Sequence, residues 1–218
     1  MPRDNHPRER QARALQRKQG KRPPYDRVLI VCEGAKTEPL YFNDIRIQNR
    51  VSPAHVSVMP SDYGTQPSQI VTFARDKFGE TRAYEWVFAV FDRDDHTTYH
   101  NALQMAQGLD NKLRNDEKKK TRFIAVPSVP CFELWLLLHF ADIQAHFHRD
   151  EIIARLRNHI ANYEKGTNGI YSLILPDLAT ATDRAKRLQQ RSDPHAGDQP
   201  YTNVDTVVTL LQGIRARP

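Results

Sequence analysis

An open, mostly parallel four-stranded α/β sheet with flanking helices, followed by a helical carboxyl-terminal portion, is the fold class that this 218-residue sequence predicts. Three observations carry the prediction. Continuous apolar runs such as Val28–Cys32 and Trp86–Phe91 mark strands buried on both faces. Strand and helix patterns alternate four times between Val28 and Val126, as parallel strands with right-handed crossovers require. From Cys131 onward the apolar spacing is helical.

The first strand, VLIVC at 28–32, runs into Glu33-Gly34, where the glycine lets the backbone turn sharply. Thr37 then reads as a helix N-cap, with Glu38 and Pro39 in the first turn and Leu40, Tyr41 and Ile45 as an apolar stripe. A weaker strand at 55–59 (HVSVM) and a turn-rich loop at 60–67 lead to a helix from Ser68 to about Phe78. The third strand, WVFAVF at 86–91, ends in Asp92-Arg93-Asp94-Asp95. A helix from Tyr99 to about Arg114 and a fourth strand at 123–126 (FIAV) complete the sheet. Helical segments are expected at 131–141, 149–158, 170–175, 177–191 and 204–214, with no further strand.

Charge divides the chain differently. Residues 1–27 carry nine basic and three acidic side chains, which is the whole +6 excess, and the remaining residues balance. Their few apolar residues contribute little to a core. This gives a flexible basic arm at 1–25 with a short helix from Arg8 to Lys18, an α/β core at 26–130, and a helical portion at 131–218 packed on the core and contributing to the site. The arm either keeps the chain in solution or grips phosphates, through Arg13, Arg17, Lys18, Lys21 and Arg22, in a salt-dependent way. A second basic cluster at 112–122, with Lys118, Lys119 and Lys120 at its centre, is a solvated turn or a further phosphate contact.

Cys32 and Cys131 both lie in apolar stretches, which points to buried thiols in a reducing cytoplasm. The longest strongly apolar run, Leu134–Leu138, is too short to span a bilayer. The charged amino terminus lacks the apolar core of a signal peptide. No Walker A sequence is present, so any ATP dependence has to come from a partner.

The informative residues lie at strand ends, because open parallel sheets build sites outside the carboxyl ends of their strands where strand order reverses. Glu33 follows strand one; Asp92 and Asp94 follow strand three. If these strands are neighbours, the carboxylates meet, and their repulsion in a partly buried site needs a cation. Oxygen-only ligands favour Mg²⁺ or Mn²⁺. In an extended Asp-x-Asp segment both side chains point to one side. The alternative is a turn at Glu33 and a helix cap at Asp94 or Asp95.

The segments VLIVCEGAKTEPLYF at 28–42, VFDRDDH at 90–96 and PCFELWLLLHF at 130–140, in this order, resemble the RloB-like family over about residues 26–212. That family belongs to the Toprim-like group, with the topoisomerase, primase and overcoming-lysogenization-defect nuclease domains. The resemblance implies a Toprim-like sheet, a general acid/base or metal-binding glutamate at Glu33, and metal-binding Asp92 and Asp94. It also implies a further metal-binding or catalytic acid, which falls on Glu133, and a catalytic lysine, which falls on Lys165. The family's Asn-Pro-Ser-Thr box is replaced by Gln199-Pro200-Tyr201-Thr202-Asn203, leaving Thr202 and Asn203 as helix-start residues.

Glu133, among Phe132, Leu134 and Trp135, is either paired, protonated or metal-bound, or else faces water at a helix start. His139 lies about 240° further round an ideal helix and reads as a hydrogen-bonded core histidine. The remaining histidines, His96 and His148 included, are dispersed and take no metal role. The acidic residues suit one or two Mg²⁺ or Mn²⁺ ions, and with them the resemblance implies a metal-dependent phosphodiesterase, a nuclease for DNA or RNA such as tRNA. Family context adds an effector of anti-phage abortive infection of the AbiL type, held in check by an ABC- or SMC-type ATPase. Asp92-Arg93-Asp94 also suits haloacid-dehalogenase phosphatases, but His96 stands where they need Thr or Val, and a nucleotide-sugar transferase leaves Glu33-Gly34 unexplained. The main rival is a non-catalytic Toprim-like module that binds nucleic acid or the ATPase.

Overall fold

The structure is a computed structural model that describes residues 25–195 and 200–214. Five strands form one sheet: β1 Val28–Cys32, β2 Val56–Pro60, β3 Trp86–Asp92, β4 Arg122–Val129 and β5 Tyr201–Thr202, in the order β2-β1-β3-β4-β5. The first four are parallel, as their apolar runs predict, and β5 pairs antiparallel with β4. This fifth strand corrects the four-stranded expectation. It is two residues long and carries no run from which periodicity could be read.

The crossover helices are α1 Thr37–Gln48, α2 Pro67–Thr81 and α3 Tyr99–Leu109. After β4 come α4 Glu133–Leu137, α5 Arg149–Arg157, α6 Ile170–Ile174, a 3₁₀ turn Leu175–Asp177, α7 Leu178–Arg191 and α8 Val204–Gly213. Alternate residues of β1 serve opposite faces of the sheet. Val28, Ile30 and Cys32 pack with α1 and the helices after β4, whereas Leu29 and Val31 pack with α2 and α3. The segment beyond Cys131 therefore shares a core with one face of the sheet. Trp135 fixes α4 there by donating its indole N–H to Tyr41 Oη at 2.8 Å in a fully buried contact.

Several element ends differ from the sequence reading. Helix α1 has Lys36 at its N-cap, with Thr37 already inside the helix. Helix α2 starts one residue early, where Gln66 and Gln69 form a reciprocal capping box. Helix α3 stops at Leu109, five residues before the expected Arg114, because Asp110 turns extended and its carboxylate accepts from Arg122 Nε and the Phe123 N–H, both at 2.9 Å. The expected helix at 131–141 is regular only in its five central residues. No helix among the described residues is long and apolar enough to cross a membrane.

Candidate metal centre at the β1–β3 switch point

Chain order runs from β1 outward to β2 and then back across β1 to β3, so β1 and β3 flank the point where strand order reverses. Cys32 stands opposite Val90, and the Glu33 N–H continues the ladder by donating to the Val90 carbonyl at 2.9 Å. The Glu33 side chain turns across the next rung, where Oε2 accepts the Asp92 backbone N–H at 2.8 Å. Its other oxygen lies 3.3 Å from His96 Nε2. Strand β3 ends with Asp92, which is 6 % exposed and accepts the Phe132 N–H on Oδ1 at 2.8 Å. That bond ties β3 to the start of α4 and brings Glu133 into the same pocket.

This pocket, about 290 Å³ in volume, is lined by the carboxylates Glu33, Glu38, Asp92 and Glu133, with Lys36 and Lys165 on its walls. Glu133 is 1 % exposed. Its Oε1 accepts from Tyr163 Oη at 3.2 Å, while Oε2 is buried with no hydrogen-bond partner among the described residues. The alternative of a water-facing Glu133 is thereby excluded.

Asp94 departs from the sequence reading. The Asp-x-Asp pair is not one extended segment with both carboxylates on one side: β3 ends at Asp92, and Asp94 sits at φ 35°, a left-handed backbone that aspartate tolerates. Its N–H donates to the Pro130 carbonyl at 3.1 Å, and its carboxylate pairs with Arg149, the first residue of α5. Asp94 still reaches the cluster, since one ligand atom each from Glu33, Asp94 and His96 lie within 4.8 Å of one another. Asp95 is exposed, and α3 has Thr98 at its N-cap, so Asp95 does not cap that helix.

Burial and mutual repulsion push these acids toward their protonated forms. Burial raises Glu33, opposed by the Asp92 N–H and by His96. Burial raises Asp92 well above the carboxylate range, and the charges of Glu38, Glu33 and Glu133 add to it. Burial raises Asp94 too, with Arg149 opposing. Glu38 is pushed up to about 7 by burial, then by Glu133 and Glu33, with Lys165 opposing. Carboxyl groups gathered this way stay charged only with added positive charge. Glu133 Oε2, buried without a partner, is the kind of orphan acceptor that a cation satisfies. The oxygen-rich donor set fits Mg²⁺ or Mn²⁺, with His96 as a nitrogen donor better suited to Mn²⁺.

The pocket at this end of the sheet thus holds Glu33, Asp92, Glu133 and Lys165, and Asp94 meets Glu33 and His96, whereas Asp92 and Glu133 stand outside that donor trio. Three further residues belong with them. Glu38 reads in sequence only as an acid in a first helical turn, but a helix that begins at a strand end places that turn over the end. His96, which the sequence gives no metal role, meets Glu33. Arg149 lies 55 residues from its partner Asp94, with no local signal.

Other expected residues lie elsewhere. His139 is a core histidine whose Nδ1–H donates to the Trp135 and Leu136 carbonyls at 3.1 and 3.2 Å. His148 caps α5 by accepting the Asp150 N–H. In β5, Thr202 Oγ1 lies 3.1 Å from Ser128 Oγ of β4, and Asn203 donates to the Ala125 carbonyl at 3.0 Å, so both are structural. Both cysteines are free and buried, and burial raises their thiols well above the ordinary range. Lys118, Lys119 and Lys120 form a tight turn bridged from Arg114 to Lys120, just before β4. That places them at the amino end of the sheet, roughly 20 Å along the strands from the pocket. Arg13, Arg17, Lys18, Lys21 and Arg22, with the predicted arm helix, lie outside the described residues.

Fold and site define an α/β protein with a buried acidic pocket at the switch point of a mostly parallel sheet. A protein-family model described as RloB-like protein matches residues 28–211, and the chain belongs to that family. No curated protein and no solved structure matches the chain.

Proposed function

We propose that the pocket hydrolyses phosphodiester bonds in nucleic acid, DNA or RNA such as tRNA, with one or two Mg²⁺ or Mn²⁺ ions. The observation that carries this reading is the buried Glu133 Oε2, without a partner, in a pocket shared with three more carboxylates. Glu33, Asp92, Asp94 and Glu133 would hold the ion, with Glu38 beside them. A divalent ion in such a site polarises a phosphoryl oxygen and lowers the pKa of bound water.

The chain's own groups supply the rest. Glu33 Oε1, facing His96 Nε2, is the place for a proton to be held and passed on. The Asp92 N–H fixes the other Glu33 oxygen, so the carboxylate is oriented before substrate arrives. Lys165 on the pocket wall offsets negative charge growing on the phosphate. The basic arm adds contacts to the sugar-phosphate backbone that do not read sequence.

Resemblance of the family to Toprim-like nucleases supports this reading, and with it a cytoplasmic role as an abortive-infection effector under an ABC- or SMC-type ATPase. The test incubates the protein, alone and with any ABC- or SMC-type ATPase encoded beside it, with labelled DNA and total tRNA in Mg²⁺, Mn²⁺ or chelator. Cleavage that needs the ion and disappears in Glu33→Gln is expected. Binding without cleavage, with the ATPase present, supports the non-catalytic module instead.

A further inference from the structure

The ion pair between Asp94 and Arg149 sets two demands on one carboxylate. Asp94 belongs to the only donor trio found among the described residues, with Glu33 and His96. Its Oδ2 is nevertheless taken by Arg149 Nη1. A carboxylate oxygen held by a guanidinium is a poorer ligand for a divalent ion, so cation and arginine compete.

The two partners differ in how they are held. Asp94 is fixed by its left-handed backbone and by its N–H bond to Pro130, and its side chain is 13 % exposed. Arg149 reaches in from the first residue of α5 on a long flexible stem, and its side chain is 29 % exposed. Helix α5 itself packs on α4, which carries Glu133. When the pair opens, the arginine is the partner that moves, and it stays at the pocket rim because its helix is anchored there. A freed guanidinium at that rim matches the bidentate geometry of a phosphate.

We infer that Arg149 is an exchangeable counter-ion: it neutralises Asp94 until a divalent ion takes that carboxylate, then binds a non-bridging oxygen of the substrate phosphodiester. This rests on the phosphodiesterase reading above. No bond is made or broken in the exchange. Arg149 trades one anionic partner for another, and the substrate brings the second.

The test uses the full chain and two readouts besides cleavage. Mn²⁺ binding is measured by calorimetry for wild type, Arg149→Gln, Asp94→Asn and the double variant. Binding of a cleavage-resistant phosphorothioate oligonucleotide in Ca²⁺ is measured by fluorescence anisotropy. Arg149→Gln should bind Mn²⁺ about three- to tenfold more tightly and the oligonucleotide about tenfold more weakly, as loss of one charge-assisted contact implies. The gain in Mn²⁺ affinity should vanish in the Asp94→Asn background, because arginine and ion compete for one carboxylate. A structural role would weaken both ligands together.

Unchanged or weaker Mn²⁺ binding in Arg149→Gln, a gain that survives Asp94→Asn, or unchanged oligonucleotide binding overturns the inference. If Arg149→Gln does not fold, as judged by circular dichroism, Arg149→Lys replaces it. It should shift both affinities in the same opposite directions by smaller factors, and wild-type values for it overturn the exchange. Wild-type protein that binds no Mn²⁺ overturns the phosphodiesterase reading with it. Wild-type binding that Arg149→Gln does not improve overturns the exchange alone.

Discussion

The Glu33 carboxylate accepts the backbone N–H of Asp92 at 2.8 Å. One side chain at the end of β1 thus closes the last rung of the β1–β3 ladder and turns its second oxygen to His96. Orientation and charge of Glu33 are separable, because an amide oxygen can accept the same N–H.

Glu33→Gln should therefore fold as wild type does and lose ion-dependent cleavage by roughly 10²–10³-fold, as removal of a preorganised charge at a reacting centre does. Thermal unfolding in chelator should show no loss of stability, since one of several repelling carboxylates is gone. A gel assay with labelled nucleic acid, beside a melting curve, checks both halves.

Glu38 gives the acidic cluster a pH signature. Its pKa rises from the ordinary 4.5 to about 7, so between these values the folded protein binds more protons than the unfolded chain. Stability without divalent ion should then fall as pH rises through that window. Saturating Mg²⁺ should flatten the fall, since an ion that binds only the folded state stabilises it. Glu38→Gln should flatten it without the ion. Melting temperatures in chelator and in Mg²⁺ from pH 4.5 to 8 make the comparison.

His139 should act with the opposite sign. Burial lowers its pKa from 6.5 to about 4, so the unfolded chain binds the extra proton between those values. Its contribution is full above pH 6.5 and is lost as pH falls toward 4, a change of up to about 3 kcal/mol. Replacement by Gln should remove that part of the acid slope in urea unfolding series.

The loop carrying Lys165 depends on a glycine. Gly166 has φ +91°, and an added Cβ would come within 3.1 Å of Lys36 Cβ. Gly166→Ala should cost about 1–3 kcal/mol through backbone strain and displace Lys165 from the pocket wall. Gly79, in α2 with nothing near an added Cβ, is the control, and Gly79→Ala should stabilise by about 0.5–1 kcal/mol. Chemical denaturation separates the two.

Much of this architecture is legible in the sequence where burial imposes a pattern. The runs 28–32 and 86–91 read as buried strands because helices cover both faces, and Glu33 and Asp92 read as site residues because parallel sheets open at strand ends. What stayed hidden is set by tertiary placement. Strand β5 exists only as a partner for Ser128 and Val129. Helix α3 ends early because Asp110 is captured by the start of β4. Glu38 looks like any acid in a first helical turn until that turn is laid over the end of β1. Arg149 has meaning only beside Asp94, and the left-handed turn that aims Asp94 leaves no mark in Asp-x-Asp itself.

The central claim is that carboxylates from β1, β3 and α4 share one divalent ion. Calorimetric titration of Mn²⁺ into wild type, Glu33→Gln and Asp92→Asn tests it most directly. Saturable binding of one or two ions to wild type, weakened at least about tenfold in each variant, is the predicted result. Wild-type protein that takes up no ion, or variants that bind it as wild type does, would contradict the account.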